Sequence, residues 1–130
     1  MVIDSSAMSA VLFNEPEADR LRRAISADPV RMMSAVSALE TSCVVESRRG
    51  ASAGAEFEMF LHKVRIQIRP FDEDQLEIAR AAWRRFGRGR HGAALNFGDC
   101  AAYALAKATG EPLLFKGSDF AQTDVAAVRI

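Results

Sequence analysis

Apolar positions along the chain follow two rhythms. Short runs of strand length, "MVI", "PVRMMS", "IQIRPF", "PLLFK" and "VAAVRI", are separated by longer stretches in which apolar residues recur at helical spacing. The first run breaks at Asp4, and "SSAMSAVLF" reads as a helix capped by Ser5 or Ser6. A second helix over "EPEADRLRRAISA" takes Pro16 in its first turn. "AVSALETSCVVESRRG" aligns Val36, Leu39, Cys43 and Val44 and stops at Gly50, and the stretch from Ala51 to about Arg65 aligns Phe57, Phe60, Leu61 and Val64. Asp72 caps a helix with the stripe Leu76, Ala79, Trp83 and Phe86, closed by Gly87. Asn96 or Gly98 opens the last helix, "DCAAYALAKAT", which Gly110 stops; "GSDFAQTD" is a loop or a short helical turn.

Strands that alternate with helices predict an α/β fold: a three-layer α/β/α arrangement with a central, mostly parallel sheet and helices on both faces. A single domain over residues 1–130 is expected. In such sheets ligands bind beyond the carboxyl ends of the strands, and Asp4 sits at one of those ends.

Charge and cysteine content narrow the partners. Lys plus Arg and Asp plus Glu balance at 17 each, so any attraction to nucleic acid must come from a local patch. Cys43 and Cys100 both fall in helical patterns, which argues against a disulfide framework or a thiolate metal site and suits a reducing compartment. No run approaches the roughly 20 apolar residues of a membrane span, and the start lacks a signal-peptide pattern, so a cytoplasmic protein is expected.

Four acids stand where a merely solvating charge is not needed: Asp4, Glu40, Asp99 and Asp119. Each has an ordinary reading. Asp4 favours the positive end of the following helix, Glu40 makes an internal salt bridge, Asp99 reaches back in a capping box read from Asn96, and Asp119 is a turn residue. Helical spacing sets Glu40 beside Val36, Leu39, Cys43 and Val44, where an unpaired charge is costly. If the strand ends converge, these carboxylates raise one another's pKa unless a cation intervenes. An all-oxygen set favours a hard ion, Mg2+ or Mn2+, over zinc. His62 reads as partly buried structure and His91 as solvated. Such ions commonly meet phosphate oxygens, which suggests phosphate-ester chemistry, and Ser5 and Ser6 are placed to hydrogen-bond a carboxylate or water. "WRRFGRGRH" gathers Arg84, Arg85, Arg88 and Arg90 with two glycines, a local basic element suited to RNA phosphates.

The ordered set of acids, with "VIDSSA", "SALET" and "LNFGDCAAYALAKATGEPLLFKGSDF", resembles PIN-domain ribonucleases, and among them the VapC toxins of type II toxin-antitoxin pairs, over essentially the whole chain. By that resemblance the family's metal-binding acids fall on Asp4, Glu40, Asp99 and Asp119, and its small hydroxyl position falls on Ser6. Asp124 in "QTDV" lies close enough in the chain to compete for the fourth place. The resemblance implies a Mg2+- or Mn2+-dependent endoribonuclease in which an activated water attacks the phosphate in line, leaving a 5'-phosphate and a 3'-hydroxyl. It also implies a homodimer and a small antitoxin partner that occludes the site. Phe57, Met59 and Phe60 supply more apolar area than one stripe requires; core packing is the first reading of Phe57 and Phe60, a dimer surface is the alternative, and Met59 points elsewhere.

Two other classes compete. A receiver-like signalling module wants adjacent acids on its first strand and an aspartate on a middle strand, whereas "VIDSS" carries one acid and "IQIRPF" ends without any. A non-catalytic RNA- or protein-binding module keeps the fold without the chemistry, and predicts that cleavage does not depend on Asp4 or Asp99.

Overall fold

The computed structural model describes residues 1–130. Strands β1 (Val2–Ile3), β2 (Met32–Ser34), β3 (Gln67–Arg69) and β4 (Leu113–Leu114) form one sheet in the order β3-β2-β1-β4, with every neighbouring pair parallel. The helices are α1 (Ser5–Leu12), α2 (Ala18–Ala27), α3 (Ala35–Arg49), α4 (Ala51–Lys63), α5 (Glu73–Phe86) and α6 (Phe97–Thr109). The period of two along each strand sorts the core into two layers. Val2, Met32 and Leu113 pack with α5 and α6, while Ile3, Met33 and Leu114 pack with α1 through α4. This is the three-layer α/β/α architecture that the alternation predicts. Each strand is only two or three residues long, but β1, β2 and β4 are buried on both faces. Burying a large apolar side chain stabilises by about 1.5–3 kcal/mol, which compensates for the short ladders.

The helix boundaries follow their caps. The Asp72 carboxylate accepts from Gln75 N at 2.9 Å, and Gly110 ends α6 in the left-handed region at φ 71°. α1 differs from expectation: it begins at Ser5, and its cap is Asp4, which accepts from Ser6 N.

Two helices are rotated from their predicted settings. α3 buries Ser37, Thr41 and Val45 and leaves Leu39 and Cys43 exposed. Thr41 Oγ1 donates to Ser37 O at 2.9 Å, so its hydroxyl is buried without losing a partner. α5 buries Gln75, Ala79, Ala82 and Phe86, with Gln75 Nε2 donating to Pro70 O, and it leaves Leu76 and Trp83 exposed. His62 is exposed, against the expected partial burial, and His91 is exposed as expected. "VAAVRI" forms no strand. Its pairing with β4 is a single bridge, Leu113 to Ala127, because β4 itself offers only two residues. No helix is long and apolar enough to cross a membrane.

Candidate active site

The sheet order reverses direction at β1. The chain moves from β1 through β2 to β3 on one side, and β4 lies on the other, so the end of β1 is a topological switch point. Asp4 occupies it, with its backbone N donating to Leu114 O at 2.9 Å. The side chain is buried. Its Oδ2 accepts from Ser6 N at 3.0 Å and from Ser6 Oγ at 2.5 Å, and Ser6 Oγ in turn accepts from Lys116 N at 3.0 Å. Ser6 therefore joins the first acid to the loop that follows β4. Asp4 Oδ1 is buried and has no partner. Burial pushes the Asp4 carboxyl up to about 6 against the two Ser6 hydrogen bonds, and the charges of Asp99 and Glu40 push the same way as burial.

Glu40 approaches from α3. It is half-buried like Val36 and Val44 on the same row of the helix, while Leu39 and Cys43 beside it are exposed. Ser5 Oγ donates to its Oε1, so the two adjacent serines orient two different carboxylates. Its carboxylate packs on the first turn of α6 at Gly98, where a Cβ would come within 2.6 Å of Glu40 Oε2. Any side chain at 98 would meet that carboxylate, a requirement that the sequence states only as a glycine beside an acid.

Asp99 realises its ordinary reading in full. Its Oδ2 accepts from Asn96 N and its own N donates to Asn96 Oδ1, both at 2.9 Å, which is a complete capping box. It also belongs to the cluster. Burial raises its carboxyl, the charges of Glu40 and Asp119 raise it further, and the Asn96 bond and Arg88 oppose this. Asp119 is exposed and leads into a 3-10 turn, Phe120–Gln122. Asp124 faces elsewhere: Tyr103, Lys107 and Arg85 hold its carboxylate. In this arrangement no three acidic, histidine or cysteine side chains stand close enough together to hold an ion.

The four arginines separate. Arg88 lies near enough to Asp99 to lower its pKa. Arg85 stacks on Phe86 and bonds Asp124, while Arg90 stacks on Trp83 at 4.3 Å. Their loop is pinned at its base, with Arg88 N donating to Leu95 O and Leu95 N to Phe86 O, both at 3.0 Å.

A family model described as PIN domain matches residues 1–126. The chain belongs to the PIN-domain family. It is 54% identical over 128 residues to a protein named Ribonuclease VapC from Mycolicibacterium smegmatis, covering 98% of this chain and 99% of that one. It is 49% identical over 130 residues to Ribonuclease VapC30 of Mycobacterium tuberculosis, covering 100% of this chain and 99% of the relative. Among solved structures it resembles M. tuberculosis VapC20, described as a sarcin-ricin loop cleaving toxin, with a TM-score of 0.81, 19% identity, and coverage of 99% of this chain and 98% of that one. A toxin-antitoxin complex from Klebsiella pneumoniae matches with a TM-score of 0.74 and 17% identity over 98% of this chain and 95% of that one.

Beside the acids, this PIN domain carries a feature that the sequence pattern hid. A groove of about 520 Å3 runs between the start of α3, α5 and α6. Val36, Leu76, Trp83 and Phe97 line it, and Arg80, Arg84 and Arg90 border it. Phe97, 84% exposed, stands two residues before Asp99. The α4 aromatics are core, as the first reading has it: Phe57 is buried and Phe60 half-buried, while Met59 is exposed.

Proposed function

We propose that this PIN-domain protein is a divalent-metal-dependent endoribonuclease, the toxin of a toxin-antitoxin pair, acting in the cytoplasm as a single domain over residues 1–130. The observation that carries the metal reading is the orphaned Asp4 Oδ1, on a buried carboxyl that the charges of Asp99 and Glu40 push up along with burial. A buried acceptor left unpaired is costly, and a cation meeting it would relieve both the orphan and the repulsion. Asp4, Glu40, Asp99 and Asp119 would hold the ion, drawing closer together than they stand without it. Asp99 caps α6 through Oδ2 only, which leaves Oδ1 available. Their hard oxygen donors suit Mg2+ or Mn2+. Such an ion supplies a water of lowered pKa and stabilises charge on the scissile phosphate.

The chain's own groups do the orienting. Ser6 fixes the rotamer of Asp4, Ser5 that of Glu40, and Gly98 lets Glu40 approach α6. RNA as substrate rests on the ribonuclease names of close relatives and on the basic element after α5. Of the four arginines, Arg88 is the one whose charge reaches the acids and the one assigned to phosphate, since Arg85 is bonded to Asp124 and Arg84 and Arg90 border the groove. Arg88→Ala should weaken RNA binding several-fold and reduce the slope of log affinity against log salt by about 1. Filter binding in chelator across a salt series measures it, and an unchanged slope removes Arg88 from the interface.

An antitoxin partner is supported by the toxin-antitoxin complex among the structural matches. For the homodimer, we assign the α5 groove to a second copy. α5 is acidic in its first half, with Glu73, Asp74 and Glu77, and basic in its second, with Arg80, Arg84 and Arg85. A twofold axis across α5 sets these halves against each other and covers Leu76 and Trp83. Sedimentation should find a dimer in the wild type and a monomer in Trp83→Asp; a wild-type monomer at micromolar concentration rejects this face.

A further inference from the structure

We propose that Asp124 is a positioning residue that holds Asp119 in the acid cluster by latching the C-terminal segment onto the helix that carries Asp99. The inference rests on the reading of Asp119 as the fourth metal-holding carboxylate. Asp119 is exposed and comes shortly after Gly117, whose φ of 101° lies in the left-handed region, and on its N-terminal side the loop is tied to Ser6 through Lys116 N. The residues on its C-terminal side are anchored. Phe120 is buried with its ring 5.3 Å from that of Phe115, and Gln122 N donates back to Asp119 O at 3.2 Å. The segment then ends on Asp124. Its Oδ1 accepts from Tyr103 OH at 2.6 Å, and its Oδ2 accepts from Lys107 Nζ at 3.2 Å and Arg85 Nη1 at 3.4 Å.

Asp99, Tyr103 and Lys107 stand at i, i+4 and i+8 on α6, so one helical face carries both an acid of the cluster and the donors of the latch. The turn that bears Asp119 is thereby referenced to the same rigid element as Asp99. The three donors are unequal. Lys107 and Arg85 are well exposed, at 39% and 66% of their side chains, and ion pairs of that kind contribute little. Tyr103 is buried in the core, so its hydrogen bond is the one with a fixed origin.

The test is Mn2+ affinity by titration calorimetry on the full chain, with circular dichroism and melting to verify folding. The set comprises wild type, Asp4→Asn, Asp119→Asn, Asp124→Ala, Tyr103→Phe and the Asp119→Asn/Asp124→Ala double variant. Tyr103→Phe keeps the ring in the core and removes only the latch bond, so it serves if Asp124→Ala folds poorly. Expected is a loss of about tenfold or more in Mn2+ affinity for Asp124→Ala and Tyr103→Phe, as for groups that orient metal ligands. The double variant should bind no more weakly than Asp119→Asn alone, because the latch acts through Asp119. Wild-type affinity in Asp124→Ala or Tyr103→Phe, or additive losses in the double variant, would overturn the positioning role alone, provided that Asp4→Asn is impaired. A wild type that binds no Mn2+ would overturn the metal-site reading and this inference with it.

Discussion

Asp4→Asn should raise the melting temperature of the metal-free protein at pH 7.5 by about 10 °C, and the difference should close as the pH falls below about 4. The sign comes from the direction of the shift. Burial holds the folded carboxyl at about 6, above its ordinary 3.8, so between those values the unfolded chain releases a proton that the folded protein keeps. Stability therefore falls as pH rises through this window. Above it the penalty is constant, at about 3 kcal/mol. Asparagine removes the charge and with it the penalty, while its carbonyl still accepts from Ser6. Asparagine is also as good an N-cap as aspartate, so a residue that served only as a cap would give no change. Mn2+ should invert the comparison. At 1,000 times its dissociation constant a bound ion stabilises the wild type by about 4.1 kcal/mol, more than the penalty, and the variant should gain little of this. Melting in chelator and in Mn2+ at several pH values measures all of it. A variant that melts below the wild type in chelator at pH 7.5 would mean that the charge on Asp4 is compensated within the fold, with no need of a cation.

The fold was legible where one signal had one cause. Two-residue strands could be found because every residue in β1 and β4 is apolar, and helix ends could be found because Asp72, Asn96, Gly50 and Gly110 are capping chemistry. The rotation of α5 was not legible, because the helix carries two apolar faces. Ala82 and Phe86 face the core, Leu76 and Trp83 face the groove, Ala79 lies between them, and helical spacing joins members of both faces into one stripe. α3 misleads for the opposite reason, since its buried face contains Ser37 and Thr41. The same pattern set Glu40 on a buried apolar face, whereas that face is only half-buried and its carboxylate meets Ser5 and Gly98. The switch-point rule found the end of β1 that Asp4 occupies, but the partners that turn Asp124 toward Tyr103, Lys107 and Arg85 come from α5 and α6, which no local pattern encodes.

Asp99→Asn should lower the rate of RNA cleavage by about a thousandfold while α6 keeps its start. The capping box survives, since an asparagine carbonyl can accept from Asn96 N as Asp99 Oδ2 does. The lost negative charge at the helix N-terminus costs about 0.3–1 kcal/mol, and relief of repulsion from Glu40 and Asp119 opposes that loss. The fold should therefore change little in stability. The chemistry should change greatly, because a hard divalent ion needs charged oxygen and an amide carbonyl offers only a partial charge. A thousandfold corresponds to about 4 kcal/mol of lost transition-state stabilisation, of the order found when one preorganised electrostatic partner is removed. Single-turnover cleavage of RNA in Mn2+ at pH 7.5, at saturating protein, isolates this step from binding. A variant within tenfold of an active wild type would leave Asp99 as a helix cap and move the catalytic charge to the remaining acids. An unstable variant with the same loss is separated by its melting curve, and in that case Glu40→Gln, which leaves the capping box untouched, tests the same cluster from α3.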